Sequence, residues 1–243
     1  MEPPTQTNAP SEGDARSRLL AAAGPVFAAH GFDRATVREI CGAANVNVAS
    51  VGYYFGDKLG LYREVIEAIR VDRERQYPIP TQVEVDARLM LYRLVKTMLS
   101  RMLAADSSGW ESRLLMREMQ QPTPVFESLV KGSFRPMYCT LTDTIRSLVG
   151  DSVPRSTVDQ LALSVVGQCV YYRCAASVIP ILISEVDREA DYDIESLARH
   201  VTAVTLAATE DRALSRQKAE IESLLTSHTS NFTDEIALDG RGA

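Results

Sequence analysis

The chain has little of what most enzymes and metalloproteins are built on. Its three histidines, His30, His200 and His228, lie far apart in sequence and share no metal-ligand or acid–base spacing. Its four cysteines, Cys41, Cys139, Cys169 and Cys174, show neither C-x-x-C nor zinc-ligand spacing. Walker, G-x-S-x-G and H-E-x-x-H patterns are missing. These gaps argue against an enzyme, a metal centre and a disulfide framework, and no cofactor is implied. No run of about 18 or more apolar residues exists, so no membrane span is expected. The N-terminus carries no basic-then-apolar signal pattern, and a cytoplasmic location is expected. In that reducing setting the cysteines are expected to be buried small hydrophobes, with a thiol sensor as the alternative. Neither a strand-like alternation nor an internal repeat is present, so the periodicity that remains is helical throughout.

The most informative stretch is TVREICGAANVNVASVGYYFGDKLGLY, residues 36–62. Val37, Ile40, Cys41 and Ala44 recur at helical spacing. Thr36 precedes them with Glu39 three residues later, the pattern of a capping box. Asn45 is a residue type that tolerates a left-handed turn, and Val46 is placed to plug that turn. Asn47 can cap a second helix whose inward positions are Val51 and Phe55. Gly56-Asp57 ends it and caps the next. Two helices of about two turns around a turn of about three residues make a helix-turn-helix. In that motif the second helix enters the major groove N-terminus first.

Net charge is −6, unhelpful for a DNA binder, but its distribution matters more than the sum. Residues 15–60 carry Arg16, Arg18, Arg34, Arg38 and Lys58 against Asp33, Glu39 and Asp57, a net of +2. The acid lies in the rest of the chain.

Residues 1–13 are polar and proline-bearing and are expected to be a disordered arm. A first helix is expected from Asp14 to Ala29, kinked at Pro25 and closed by Gly31. Phe32 is expected to pack on the core of the head. A long helix follows from Lys58 to Gln76 with Leu61, Tyr62, Val65, Ile66 and Ile69 inward. Pro78 and Pro80 end it, which puts a domain boundary there and gives a helix-turn-helix domain over 14–77. The body, 78–227, reads as helices at 84–105, Trp110–Gln120, a helix from Thr123-Pro124 to Val149 bent near Gly132 and Pro136, Ser156 to about Val178, and a last helix capped by Asp193 and running on to about Leu225. Residues 228–243 are expected to be a disordered tail. The fold class is all-α, with about nine helices in two domains.

The wording of two regions resembles the TetR family of transcriptional regulators. LLAAAGPVFAAHGFDRATVREI and VASVGYYFGDKLGLYREVI resemble its DNA-binding head. MREMQQPTPVFESLVKGSFRPMY and LALSVVGQCVYYRCAASVI resemble the regulatory domain of its CecR-type branch. The sequence departs from the family pattern at Gly52, Asn45 and Pro25. The resemblance implies a homodimer on palindromic double-stranded operator DNA, released by a small-molecule effector and acting most simply as a repressor. A helical small-molecule-binding protein that has lost specific DNA binding is the alternative.

From residue chemistry, Asn47 and Ser50 are candidates to bond base edges, and Val48 and Ala49 to touch thymine methyls. Arg16, Arg18, Thr36, Arg38 and Lys58 are candidate phosphate contacts, and Tyr53 resembles the family's phosphate-binding tyrosine; Tyr54 is a further candidate at the same surface. Trp110, Met116, Met119, Phe134, Met137 and Tyr138 are candidates to line an effector pocket, with Arg113, Gln168, Tyr171 and Arg173 as polar contacts. The dimer surface is expected on the last two long helices: Leu161, Val165, Cys169 and Tyr172 on one, Leu197, Val201, Val204 and Ala208 on the other.

Overall fold

The computed structural model describes residues 12–81, 86–104, 109–210 and 216–225. Most of the expected N-terminal arm and the whole C-terminal tail lie outside these residues. Every regular element among the described residues is helical: α1 Glu12–Arg34, α2 Val37–Ala44, α3 Ala49–Phe55, α4 Lys58–Gln76, α5 Ala87–Leu103, α6 Trp110–Gln120, α7 Phe126–Leu129, a π-helical turn Val130–Phe134, α8 Arg135–Val149, α9 Arg155–Cys174, α10 Ile179–Leu182, α11 Glu185–Asp191 and α12 Ile194–Thr209. Residues 216–225 are helical as well. No helix is long and apolar enough to cross a membrane, among the described residues.

Local chemistry fixes the limits of the N-terminal helices. Thr36 is the N-cap of α2, its hydroxyl accepting from the Glu39 amide at 3.1 Å. Asn45 closes α2 in the left-handed region at φ 52°. Asp57 Oδ1 accepts from the Gly60 amide at 2.7 Å and starts α4.

α1 breaks where expected at Gly31, whose backbone is non-helical at φ 78°; no such break occurs at Pro25. Pro25 and Ala21, whose carbonyl loses its helical donor, both lie on the exposed side, where water can replace the missing N–H.

Later elements also depart. The bend expected near Gly132 and Pro136 takes the form of the π-helical turn, with the Arg135 amide bonded to the Val130 carbonyl. Pro136 has no N–H to offer the preceding turn, and the register change sits just ahead of it. α9 stops at Cys174 rather than near Val178, because Pro180 lies in the first turn of a separate helix, α10. α11 was not foreseen; Ser184 caps it by accepting from the Asp187 amide. α12 ends at Thr209.

The chain divides into two compact units. The first holds α1–α4 together with α6, α7 and the π turn. Its core is one cluster in which Leu19, Ala23, Phe27, Ile40, Val51, Phe55, Leu61, Tyr62 and Leu114 are all buried. The Phe27 and Tyr62 rings meet edge to face at 4.9 Å between centroids, and Phe32 lies against both. The second unit holds most of α5 and α8 with α9–α12. Leu91, Leu94, Val95, Leu141, Ile145, Val158, Val165, Cys169, Ala198 and Val201 are buried in it.

The cysteines divide. Cys41 and Cys169 are buried, while Cys139 and Cys174 are exposed, contrary to the expectation that all four would be buried. Burial pushes the Cys169 thiol up to about 12 and raises that of Cys41, so neither is a ready thiolate at neutral pH.

Candidate nucleic-acid interface and the elements behind it

α3 is short, and its two faces differ sharply. Val51 and Phe55 point into the core. Asn47, Val48, Ala49, Gly52 and Tyr53 are exposed, Val48 by 50% and Tyr53 by 73%. Such exposure of an aliphatic and an aromatic side chain on one short helix leaves an apolar, hydrogen-bonding surface uncovered. The Asn47 side chain accepts from the Ala49 amide at 2.8 Å and so pins the helix start. Ser50 is half-buried. The Tyr53 ring stands edge-on to Tyr54 at 4.8 Å, and Tyr54 itself packs against the core cluster.

The basic residues around α3 are placed unevenly. Arg38 is exposed on α2, and Thr36 is exposed at its cap. Arg16 pairs with Glu64 and lies over the Phe55 ring at 5.4 Å. Arg18 donates to the Asn45 carbonyl at 3.2 Å and pairs with Asp14 at 3.4 Å. The Lys58 ammonium donates to the carbonyls of Phe32, Asp33 and Ala35 at 2.8, 3.3 and 3.2 Å and sits over the Phe32 ring. Lys58 therefore has a structural task that sequence reasoning missed: it satisfies carbonyls left open where α1 gives way to α2.

Three of the contacts by which α6 packs along the head involve Trp110, Arg117 and Glu118. Gly24 on α1 admits the Trp110 indole; a Cβ there would fall 2.3 Å from the ring. Arg117 Nη2 donates to the Ala29 carbonyl at 3.4 Å. Glu118, buried, accepts from the Tyr62 phenol at 2.5 Å and from the Thr123 amide and hydroxyl at 2.9 and 2.8 Å. Burial, then the Glu118 hydrogen bond, raises the Tyr62 pKa well above the usual phenol range. Glu118 follows Leu114 by one turn, on the inward face. A carboxylate in an otherwise apolar position was the only sequence signal for it.

The candidate pocket residues are not gathered into one described site. Trp110, Arg113, Met116, Met119, Phe134, Met137 and Tyr138 belong to the first unit; Gln168, Tyr171 and Arg173 belong to the second. Trp110 and Phe134 pack against the core of the head. Met137 is buried, Met116 and Tyr138 are half-buried, and Arg113 and Met119 are exposed. Gln168 and Arg173 are half-buried and Tyr171 is exposed.

The candidate dimer residues divide as well. Leu161, Val165, Cys169, Leu197 and Val201 are buried within the single chain, which takes them up as core where α9 packs on α12. Tyr172 and Ala208 are half-buried and Val204 is exposed. The faces left open on these helices run through Leu163, Gly167 and Tyr171 on α9 and Ala203, Val204 and Ala207 on α12. A helical periodicity marks a buried stripe but does not say which partner buries it.

Comparison with known proteins agrees with this layout. Residues 19–65 match the family described as bacterial regulatory proteins, tetR family. Residues 87–209 match the C-terminal domain of the HTH-type transcriptional dual regulator CecR. The CecR protein of Shigella flexneri is 25% identical over 176 residues, covering 68% of this chain and 78% of that protein. Among solved structures, a tetR-family regulatory protein from Rhodococcus RHA1 superposes with a TM-score of 0.59 at 19% identity, covering 80% of this chain and 96% of that one. A TetR-like transcriptional regulator from Rhodococcus sp. RHA1 gives 0.56 at 16% identity, covering 83% and 96%. At these identities the solved structures speak for the fold.

Proposed function

Because the chain belongs to the TetR family of bacterial regulators, in the branch with a CecR-type C-terminal domain, we propose that it is a homodimeric repressor released from a palindromic operator by a small, largely apolar effector. A ligand-responsive, DNA-binding transcriptional regulator is the common activity of the family; operator symmetry, the sign of regulation and the residue roles are our reading.

The observation that carries it is the uncovered face of α3. Val51 and Phe55 anchor the helix in the core, and Asn47, Val48, Ala49 and Tyr53 are left to solvent. Asn47 can bond base edges, and the apolar Val48 and Ala49 suit thymine methyls. The exposed hydroxyl of Tyr53 and the guanidinium of Arg38 suit phosphates, which position the protein without reading sequence. Arg16, Arg18 and Lys58 reach phosphate only at the expense of their bonds within the chain.

One head reads half a site, and two heads related by a twofold axis read a palindrome whose halves lie about 34–36 Å apart. The open faces of α9 and α12, small and apolar at Gly167, Ala203 and Ala207, suit close helix packing with a second copy. Effector binding would act by moving α4, which carries Tyr62 in the core of the head and is held there by Glu118 of α6. The effector must favour the conformation that does not fit the operator, or it shifts nothing.

Fluorescence anisotropy on duplexes from the region flanking the protein's own gene tests this reading. Wild type should prefer one duplex over shuffled sequence, and Val48→Glu should lose that preference while unfolding at an unchanged temperature. Equal binding to all duplexes by wild type would contradict it.

A further inference from the structure

Within the first unit, α4 ends, α5 ends and α6 begins around a group of partly buried charges. Arg70 is matched by carboxylates: its Nε donates to Glu67 and its Nη1 to Glu74, at 2.8 and 2.7 Å. Arg73 donates to Ser112 Oγ at 3.0 Å and lies 3.4 Å from Glu111. Arg101, in the last turn of α5, is different. Its Nε donates to the Tyr77 carbonyl at 2.9 Å, a neutral acceptor. Its Nη2 is buried and has no hydrogen-bond partner. Among the described residues no carboxylate bonds to it.

Arg101 is half-buried, but a guanidinium cannot shed its charge as a lysine can, so a buried nitrogen left unmatched is costly. Burial lowers the Arg101 pKa, Glu74 offsets part of this, and Arg73 lowers it further. Nearby carboxylates are already engaged, Glu74 by Arg70 and Glu111 by Arg73. What the site lacks is an acceptor carrying negative charge. A planar guanidinium with an open nitrogen suits a carboxylate or phosphate oxygen.

We propose that Arg101 binds the anionic head, a carboxylate or a phosphate, of the effector. This rests on the ligand-responsive reading above and adds the chemical class of the ligand. An anion at Arg101 would sit where α5 is tied to the Tyr77 end of α4. The same helix begins beside α3 and carries Tyr62 in the core of the head, so the ligand would act at one end of the lever whose other end supports the recognition helix.

Calorimetric titration of the full chain with octanoate, octyl phosphate and octanol tests the proposal, since the three share a tail and differ in head group. At least one anion should bind wild type tenfold or more tightly than octanol, and the better of the two identifies the head group. Arg101→Met should erase that advantage and leave octanol unchanged, and Arg101→Lys, which keeps the charge without the planar fork, should retain part of it. Octanol binding as tightly as both anions, neither anion binding at millimolar concentration, or an Arg101→Met protein of full anion affinity would each overturn the proposal. A lowered unfolding temperature in Arg101→Met together with retained anion affinity would mark the arginine as purely structural and overturn it too. Sequence-selective DNA binding by the same preparations separates the two readings: if it survives where anion binding fails, this site falls and the regulator stands.

Discussion

The phenol of Tyr62 on α4 donates to Oε2 of Glu118 on α6 at 2.5 Å, with both side chains about 1% exposed. A buried carboxylate is tolerated there because Thr123 supplies two further donors. The bond ties the helix that supports the recognition element to the first helix after α5, and it makes the coupling between them measurable.

Tyr62→Phe should lower stability by about 1–3 kcal/mol, the usual penalty for leaving a buried acceptor short of a donor. It should also change the alkaline limb. Folding holds the phenol neutral and its pKa above the ordinary phenol value of about 10. That contribution is complete below the unfolded pKa and is lost as pH rises from there toward the raised folded value. Wild type should therefore lose stability above about pH 10 more steeply than Tyr62→Phe, read by urea unfolding across that range.

Gly24→Ala should destabilise the protein although alanine is the better helix former by up to about 1 kcal/mol. The added methyl would fall 2.3 Å from the rigid Trp110 ring, and overpacking of this kind costs about 1–3 kcal/mol. Adding Trp110→Phe to Gly24→Ala should recover part of the loss. Thermal unfolding followed by circular dichroism reads both effects.

In the second unit, Glu195 accepts from Lys96 and Tyr92 and from Arg199. Hydrogen bonds from Lys96 first and Tyr92 next hold its carboxyl at about 2. A depressed pKa gives stability that is present above the unfolded value and lost as pH falls through the folded one. Glu195→Gln should flatten the acid limb between the ordinary carboxylate value and about pH 2, and leave the neutral plateau lower than in wild type. Acid titration of the unfolding midpoint checks it.

Three substitutions near α3 should separate phosphate contact from structural support. Arg38→Ala should weaken binding on all sequences alike and reduce the salt slope by about one. Tyr53→Phe should weaken binding on all sequences and leave the slope and the stability unchanged, since the lost hydroxyl is exposed and neutral. Lys58→Ala should leave the slope unchanged and lower the unfolding temperature, because three carbonyls lose their donor. Filter binding at several salt concentrations, paired with thermal melts, reads all three.

How much of this was legible in the sequence follows from the range of each interaction. Thr36, Asn45 and Asp57 act on backbone groups within a few residues, so α2 was readable to the residue, as were the limits of α4 and α6, whereas α3 begins at Ala49 and not directly after Asn47. The family wording pointed to the face of α3 that the structure leaves exposed. Interactions between distant segments left no such trace. The bonds that Lys58 makes to carbonyls 23 to 26 residues away could not be read beside its candidate phosphate contact. The stripe through Leu161, Val165 and Cys169 is core within the single chain, and periodicity reports burial, not the burying partner. Arg101 was invisible, since its meaning lies in a missing acceptor. Pro25 keeps helical backbone angles within α1, and a proline on the exposed side of a helix is cheaper than one facing the core.

The central claim is sequence-specific binding by a symmetric dimer, and selection of bound sequences from random duplex DNA at near-physiological salt tests it most directly. The account predicts a palindromic winner with half-sites about one helical turn apart, lost when Val48 is replaced by Glu. No enrichment from a well-folded dimer would contradict it and turn the function toward small-molecule binding alone.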